Sequence, residues 1–70
     1  MERTPVVSSS LVSVGYDELT KILEVEFVTG GVYQYAGVPA DEHEALMSAD
    51  SKGTYMNANI RDHYSYVRIA

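Results

Sequence analysis

Leu23, Val25 and Phe27 alternate with Glu24 and Glu26, and a few residues later the chain passes through Thr29-Gly30-Gly31 into the β-prone run Val32-Tyr33-Gln34-Tyr35. A two-residue period marks a half-buried strand, and paired glycines supply the positive φ angles that a tight reversal needs. Residues 22–36 therefore read as a β-hairpin, with the two glutamates on its solvent face.

The flanking segments extend this unit. Leu11 to Tyr16 alternates as well, with Val12, Val14 and Tyr16 on one side and Ser13 and Gly15 on the other, which gives a three-strand meander. After Gly37 the period changes. Pro39 suits a first helical position, and Asp41, Glu42 and Glu44 are favourable near a helix N-terminus, so a short helix is expected from about Pro39 to Ala49. Ala45, Leu46 and Ala49 would face the sheet, and Gly53 stands where a left-handed cap would end the helix. Thr54 can cap a second helical turn running to Ile60, with Met56 and Ile60 on one side. Tyr64 to Ile69 alternates again as a closing strand, with Val67 and Ile69 opposite Tyr64, Tyr66 and Arg68. The expected class is α+β: an antiparallel three-strand meander, one helix plus a short helical turn, then a C-terminal strand, curved toward an SH3-like half-barrel. At 70 residues this is one domain, 1–70, with residues 1–7 expected to fray.

Composition narrows the function classes. A chain this short buries roughly 60% of its unfolded surface, which leaves little room for a deep substrate cavity. The absence of cysteine removes disulfides and thiolate metal sites, and a reducing, cytoplasmic setting is the simplest reading. Met1 to Pro5 opens no apolar leader, and the apolar runs are too short to span a membrane. The net charge of −5 argues against nucleic-acid binding driven by bulk charge. From Ser51 to Ala70, however, three basic residues (Lys52, Arg61, Arg68) face one acidic residue, Asp62. An anion would be sought there.

Two groups stand out as candidate binding residues. Tyr33 and Tyr35 are two apart on a strand and so share a face, where they can stack bases or fill the core. Hairpin register decides between these roles. A two-residue turn at Thr29-Gly30 sets the tyrosines opposite Glu26 and Glu24 in solvent, whereas a three-residue loop sets them opposite Phe27 and Val25 inside, and the inner register is preferred because so small a core needs large apolar side chains. The second group is Ser51-Lys52-Gly53 with Tyr55, Asn57 and Arg61, where a helix start and two cations can meet a phosphate or carboxylate. The competing structural reading gives Gly53 to a cap, Asn57 to turn hydrogen bonds, and Lys52 and Arg61 to pairing with Asp50 or Asp62. Sequence neighbours such as Ser51 and Lys52 rarely meet productively as a catalytic dyad, and His43 and His63 lack metal-ligand spacing. No enzyme and no cofactor is expected.

Ser9-Ser10, Val14-Gly15-Tyr16-Asp17, Leu23 to Phe27, Gly30, Val32-Tyr33-Gln34-Tyr35, Val38-Pro39, Ala49, Ser51-Lys52-Gly53, Asn57 and Ile60-Arg61 together resemble the lysyl-tRNA synthetase C-terminal (KTSC) domain family. That family occurs as small stand-alone bacterial or phage proteins and as a tail on some lysyl-tRNA synthetases. The resemblance implies a small binding module for RNA or a tRNA-related complex, with Tyr33, Tyr35, Lys52, Gly53, Tyr55, Asn57, Arg61 and Tyr64 as its surface. The rival expectation is a protein-interaction domain that offers an exposed sheet edge, for instance the strand at Ser10 to Tyr16, to a partner strand or a second copy.

Overall fold

The computed structural model describes all 70 residues. Five strands form one antiparallel sheet in chain order: β1 (Thr4–Pro5), β2 (Leu11–Asp17), β3 (Ile22–Phe27), β4 (Val32–Tyr35) and β5 (Tyr66–Arg68). Between β4 and β5 lie α1 (Ala40–Ser48) and α2 (Lys52–Tyr55), and α2 runs on into a π-helical turn, Met56–Ile60. The α+β class and the meander stand as read from the sequence, and the sheet is open, with β1 and β5 at its two edges.

The N-terminus departs from expectation. Thr4 and Pro5 pair with Val14 and Ser13, so residues 1–7 are not a frayed tail. This addition also makes β2 an interior strand, held by β1 on one side and β3 on the other, and removes Ser10 to Tyr16 as a free edge.

β2 carries a bulge between Leu11 and Ser13. The extra residue shifts the alternation, so Leu11 enters the core and Val12 is turned out, reversing the sequence expectation for Val12. In the β3–β4 hairpin Gly30 and Gly31 both adopt φ near +99°, and the Phe27 amide donates to the Gly31 carbonyl, which leaves Val28 to Gly30 as a three-residue loop. Tyr33 lies opposite Val25 and Tyr35 opposite Leu23. The tyrosines thus take the inner face, with partners two positions earlier than a Phe27/Val25 pairing.

The helices cover that face. Leu46 from α1 and Met56 and Ile60 from the π-helical turn pack with Leu11, Val14, Leu23, Val25, Tyr35 and Val38 in a core of nine buried residues. Pro39 stands at the N-cap of α1 rather than within it. Ser51, not Thr54, caps α2, its hydroxyl accepting from the Thr54 amide at 3.3 Å. Gly53 lies inside α2 and does not form a left-handed cap. A side chain at Gly53 would meet Ser10, since a Cβ there falls 2.6 Å from the Ser10 Oγ. Close approach between α2 and the strand entry is what requires glycine here.

The opposite face is not simply a wet acidic surface. Glu24 is only 3% exposed: the Arg3 guanidinium pairs with its carboxylate, and Gln34 Nε2 donates to it at 2.8 Å. Arg3 reaches Glu24 across Gly15, where an added Cβ would lie 3.1 Å from Arg3 Cγ and 2.6 Å from the Glu2 carbonyl oxygen. Ser13 joins the same network, accepting from Arg3 Nε and donating to Glu26, each at 3.0 Å.

Candidate functional site

At the β4–β5 side of the sheet the inner face opens into a groove. β5 pairs with β4 so that Tyr66 lies opposite Tyr35 and Arg68 opposite Tyr33, which brings four side chains onto one face. Phe27 and Tyr33 meet edge to face with ring centroids 5.5 Å apart, Tyr33 and Tyr66 lie 5.7 Å apart, and Tyr35 and Tyr66 5.6 Å apart. These are favourable aromatic separations. The Arg68 guanidinium sits 5.9 Å from the Tyr33 ring centroid, a cation–π contact.

Phe27, Tyr33, Tyr35, Tyr66 and Arg61, with Thr29 and Gly30 at the rim, line a cavity of about 170 Å³. A second, adjoining cavity of about 280 Å³ opens between Ser9-Ser10, the hairpin loop and Gly53, Met56 and Asn57. The two share Phe27, Thr29 and Arg61. Arg61 therefore stands at the junction. The π-helical turn places it there: the Arg61 amide donates to the Met56 carbonyl at 2.8 Å, and the widened turn buries both Met56 and Ile60 while leaving Arg61 exposed. Its guanidinium is steadied by Asn57 Oδ1, which accepts from Nη1 at 3.3 Å, and makes no ion pair with Asp62. Burial pushes the Tyr35 hydroxyl pKa up, and the nearby Arg61 charge works in the opposite direction.

The structure divides the eight residues singled out from sequence. Tyr33, Tyr35 and Arg61 line the first cavity, and Gly53, Asn57 and Arg61 the second. Lys52 lines neither; its Nζ donates to the Ala49 carbonyl at 3.2 Å. Tyr55 and Tyr64 also lie elsewhere, since both donate their hydroxyls to the Glu42 carboxylate, at 2.5 and 3.2 Å, and fasten the chain on either side of the π-helical turn to the first turn of α1. The hydrogen bond to Glu42 drives the Tyr55 pKa up to about 12, and burial followed by the Glu42 charge raises that of Tyr64. His43 is stacked on Tyr16 at 4.6 Å, and burial lowers its pKa.

Sequence reasoning missed Phe27 and Tyr66 as groove residues, and Arg68 as the cation over Tyr33. Alternation already put Tyr66 and Arg68 on one side of the closing strand. The missing fact was which strand β5 pairs with, and in what register.

The KTSC domain family profile matches residues 7–64. An uncharacterized protein of Stutzerimonas stutzeri is 47% identical over 70 residues, covering 99% of both chains. A lysine–tRNA ligase of Trichormus variabilis is 36% identical over 55 residues, which are 79% of this chain and 10% of that enzyme. The crystal structure of a KTSC domain protein from Yersinia pestis superposes with a TM-score of 0.96 at 40% identity, covering 99% of this chain and 97% of that one.

Proposed function

The chain belongs to the KTSC domain family, and on that premise we propose that it is a small non-enzymatic module that binds single-stranded or unpaired RNA in the groove between β4, β5 and Arg61. The observation that carries this reading is the cluster of Phe27, Tyr33, Tyr35 and Tyr66 around the Arg61 guanidinium on a chain whose net charge is −5. The exposed Tyr66 ring, with the half-buried Phe27 and Tyr33 rings beside it, can accept the faces of unstacked bases, and an arginine next to them meets the phosphate that follows. Bulk charge would repel a polyanion, so contact must be local and short.

The lysine–tRNA ligase of Trichormus variabilis contains a similar segment, which supports a tRNA-associated ligand for this family. The groove itself holds tyrosine, phenylalanine and arginine side chains and no carboxylate or imidazole. Asp62 follows Arg61 in the chain but lines neither cavity, and away from the groove Glu24 pairs with Arg3, Glu42 accepts from two tyrosines, and His43 stacks on Tyr16. Positioned binding, rather than proton transfer, suits such a lining.

The test is a titration of isotope-labelled protein at low salt with a short single-stranded RNA and, separately, with a tRNA acceptor-stem hairpin, following backbone amide shifts. Saturable shifts at Phe27 to Tyr35, Arg61 and Tyr66 that fade with added salt are expected. An unchanged spectrum with both RNAs would defeat the proposal.

A further inference from the structure

The two edges of the sheet are built differently. β1 is two residues long and contains Pro5, which has no N–H to offer, so that edge is blunted against further pairing. β5 is also short, at three residues, but has no proline and keeps every N–H: Tyr66, Val67 and Arg68 are all exposed, and Tyr66, Val67 and Ile69 are 56%, 59% and 49% exposed respectively. An unblunted edge carrying large apolar side chains is a template for another strand.

The backbone pattern identifies which groups are free. The Ala36 amide donates to the Ser65 carbonyl at 2.9 Å and the Ile69 amide to the Val32 carbonyl at 2.8 Å, while Val67 lies opposite Gln34. In an antiparallel ladder alternate residues make the bonds to one neighbour, so 65, 67 and 69 face β4 and the N–H and C=O groups of Tyr66 and Arg68 point away from it.

We infer that this edge pairs with the same edge of a second copy, in antiparallel register about a two-fold axis at Val67. A two-fold centred there sets Tyr66 of each copy opposite Arg68 of the other, so each of these pairings exchanges both outward backbone hydrogen bonds. Val67 meets Val67 in the closer, non-bonded position between them. The pairing also sets cation against aromatic ring. Each Arg68 lies beside a tyrosine of the other copy, repeating the cation–π contact that Arg68 makes with Tyr33 inside one chain. Residues 63–70 carry no acidic side chain and one arginine, so the overall −5 does not gather at this axis. The blunted β1 edge rules out head-to-tail growth, which leaves the isologous dimer as the closed arrangement.

The experiment is sedimentation velocity over a micromolar-to-millimolar series on wild type, Val67→Lys, Val67→Glu and an equimolar mixture of the two variants, with circular dichroism to verify that each variant folds. Val67 is exposed, so both charges are tolerated by the monomer. Wild type is expected to dimerise, and each variant alone to bind itself at least about tenfold more weakly through like charges facing across the axis. The mixture is expected to regain the dimer, because only a two-fold at residue 67 brings lysine against glutamate. A wild type that stays monomeric throughout would overturn the inference. So would folded variants that dimerise undiminished, or a mixture that fails to recover.

Discussion

Arg3 reaches Glu24 by passing over Gly15, so an ion pair that joins β3 to the segment preceding β1 depends on a missing side chain in the strand between them. Gly15→Ala would place a Cβ 2.6 Å from the Glu2 carbonyl oxygen, forcing the N-terminal segment off the sheet. We expect this substitution to cost about 1–3 kcal/mol, the range for overpacking, and Arg3→Ala about 2 kcal/mol, because Glu24 keeps its bond to Gln34. Urea unfolding of both variants measures this. A double variant no worse than Gly15→Ala alone would confirm one shared mechanism.

The acid side of the stability curve should carry the mark of Glu24. The Gln34 hydrogen bond, with Arg3 assisting, holds its carboxyl below the usual value of 4.5. A depressed acid in the folded state contributes stability above its unfolded pKa and loses it as pH falls through the folded one. Unfolding free energy should therefore decline below about pH 4.5 in the wild type, with a shallower decline in Glu24→Gln. Identical slopes for the two proteins would exclude Glu24 as the source.

At the alkaline end Tyr55 behaves in the opposite sense. Its phenol is raised to about 12 in the folded chain, so the folded state resists ionisation and its stability is lost between the ordinary value of 10 and about 12. Glu42→Gln removes the carboxylate that accepts its hydrogen bond. Ultraviolet titration of tyrosinate should then show Tyr55, and to a smaller extent Tyr64, titrating nearer 10, and an unshifted profile would contradict the assignment.

Gly53→Ala should lower stability by about 1–3 kcal/mol through its clash with Ser10, and the added substitution Ser10→Gly should restore most of it. Additive costs in the double variant would mean that Gly53 is needed for some reason other than this contact.

Arg61 and Lys52 should separate in RNA binding. Arg61 lines both cavities, whereas Lys52 bonds to Ala49 outside them. Arg61→Ala should reduce the slope of log affinity against log salt by about one, and Lys52→Ala should leave it nearly unchanged. Equal effects of the two would show that the groove does not direct the phosphate contact.

How much of this was legible in the sequence depended on range. Period-two alternation located β3, the glycine pair fixed the hairpin, and Pro39 with its following acids marked the start of α1, all within short windows. The Leu11 bulge could not be read, since one inserted residue inverts a strand's faces without changing its composition. Glu24 looked exposed because its cover, Arg3, lies 21 positions away. Likewise Tyr55 and Tyr64 looked available for ligand because Glu42 is 13 and 22 positions distant from them. Tyr33, Tyr35 and Arg61 were found as separate candidates, but only the return of β5 beside β4 assembled them with Tyr66 into one cavity.

That strand order has a kinetic meaning. β1 through β4 pair with their immediate neighbours in the chain across short loops, so the meander closes rapidly and at little entropic cost. β5 reaches β4 only after Ala36 to Ser65, with both helices, has been laid down. It is expected to dock late in folding and to open early in hydrogen exchange. The groove wall formed by Tyr66 is thus the last part of the chain to be assembled and the first to be lent back to solvent.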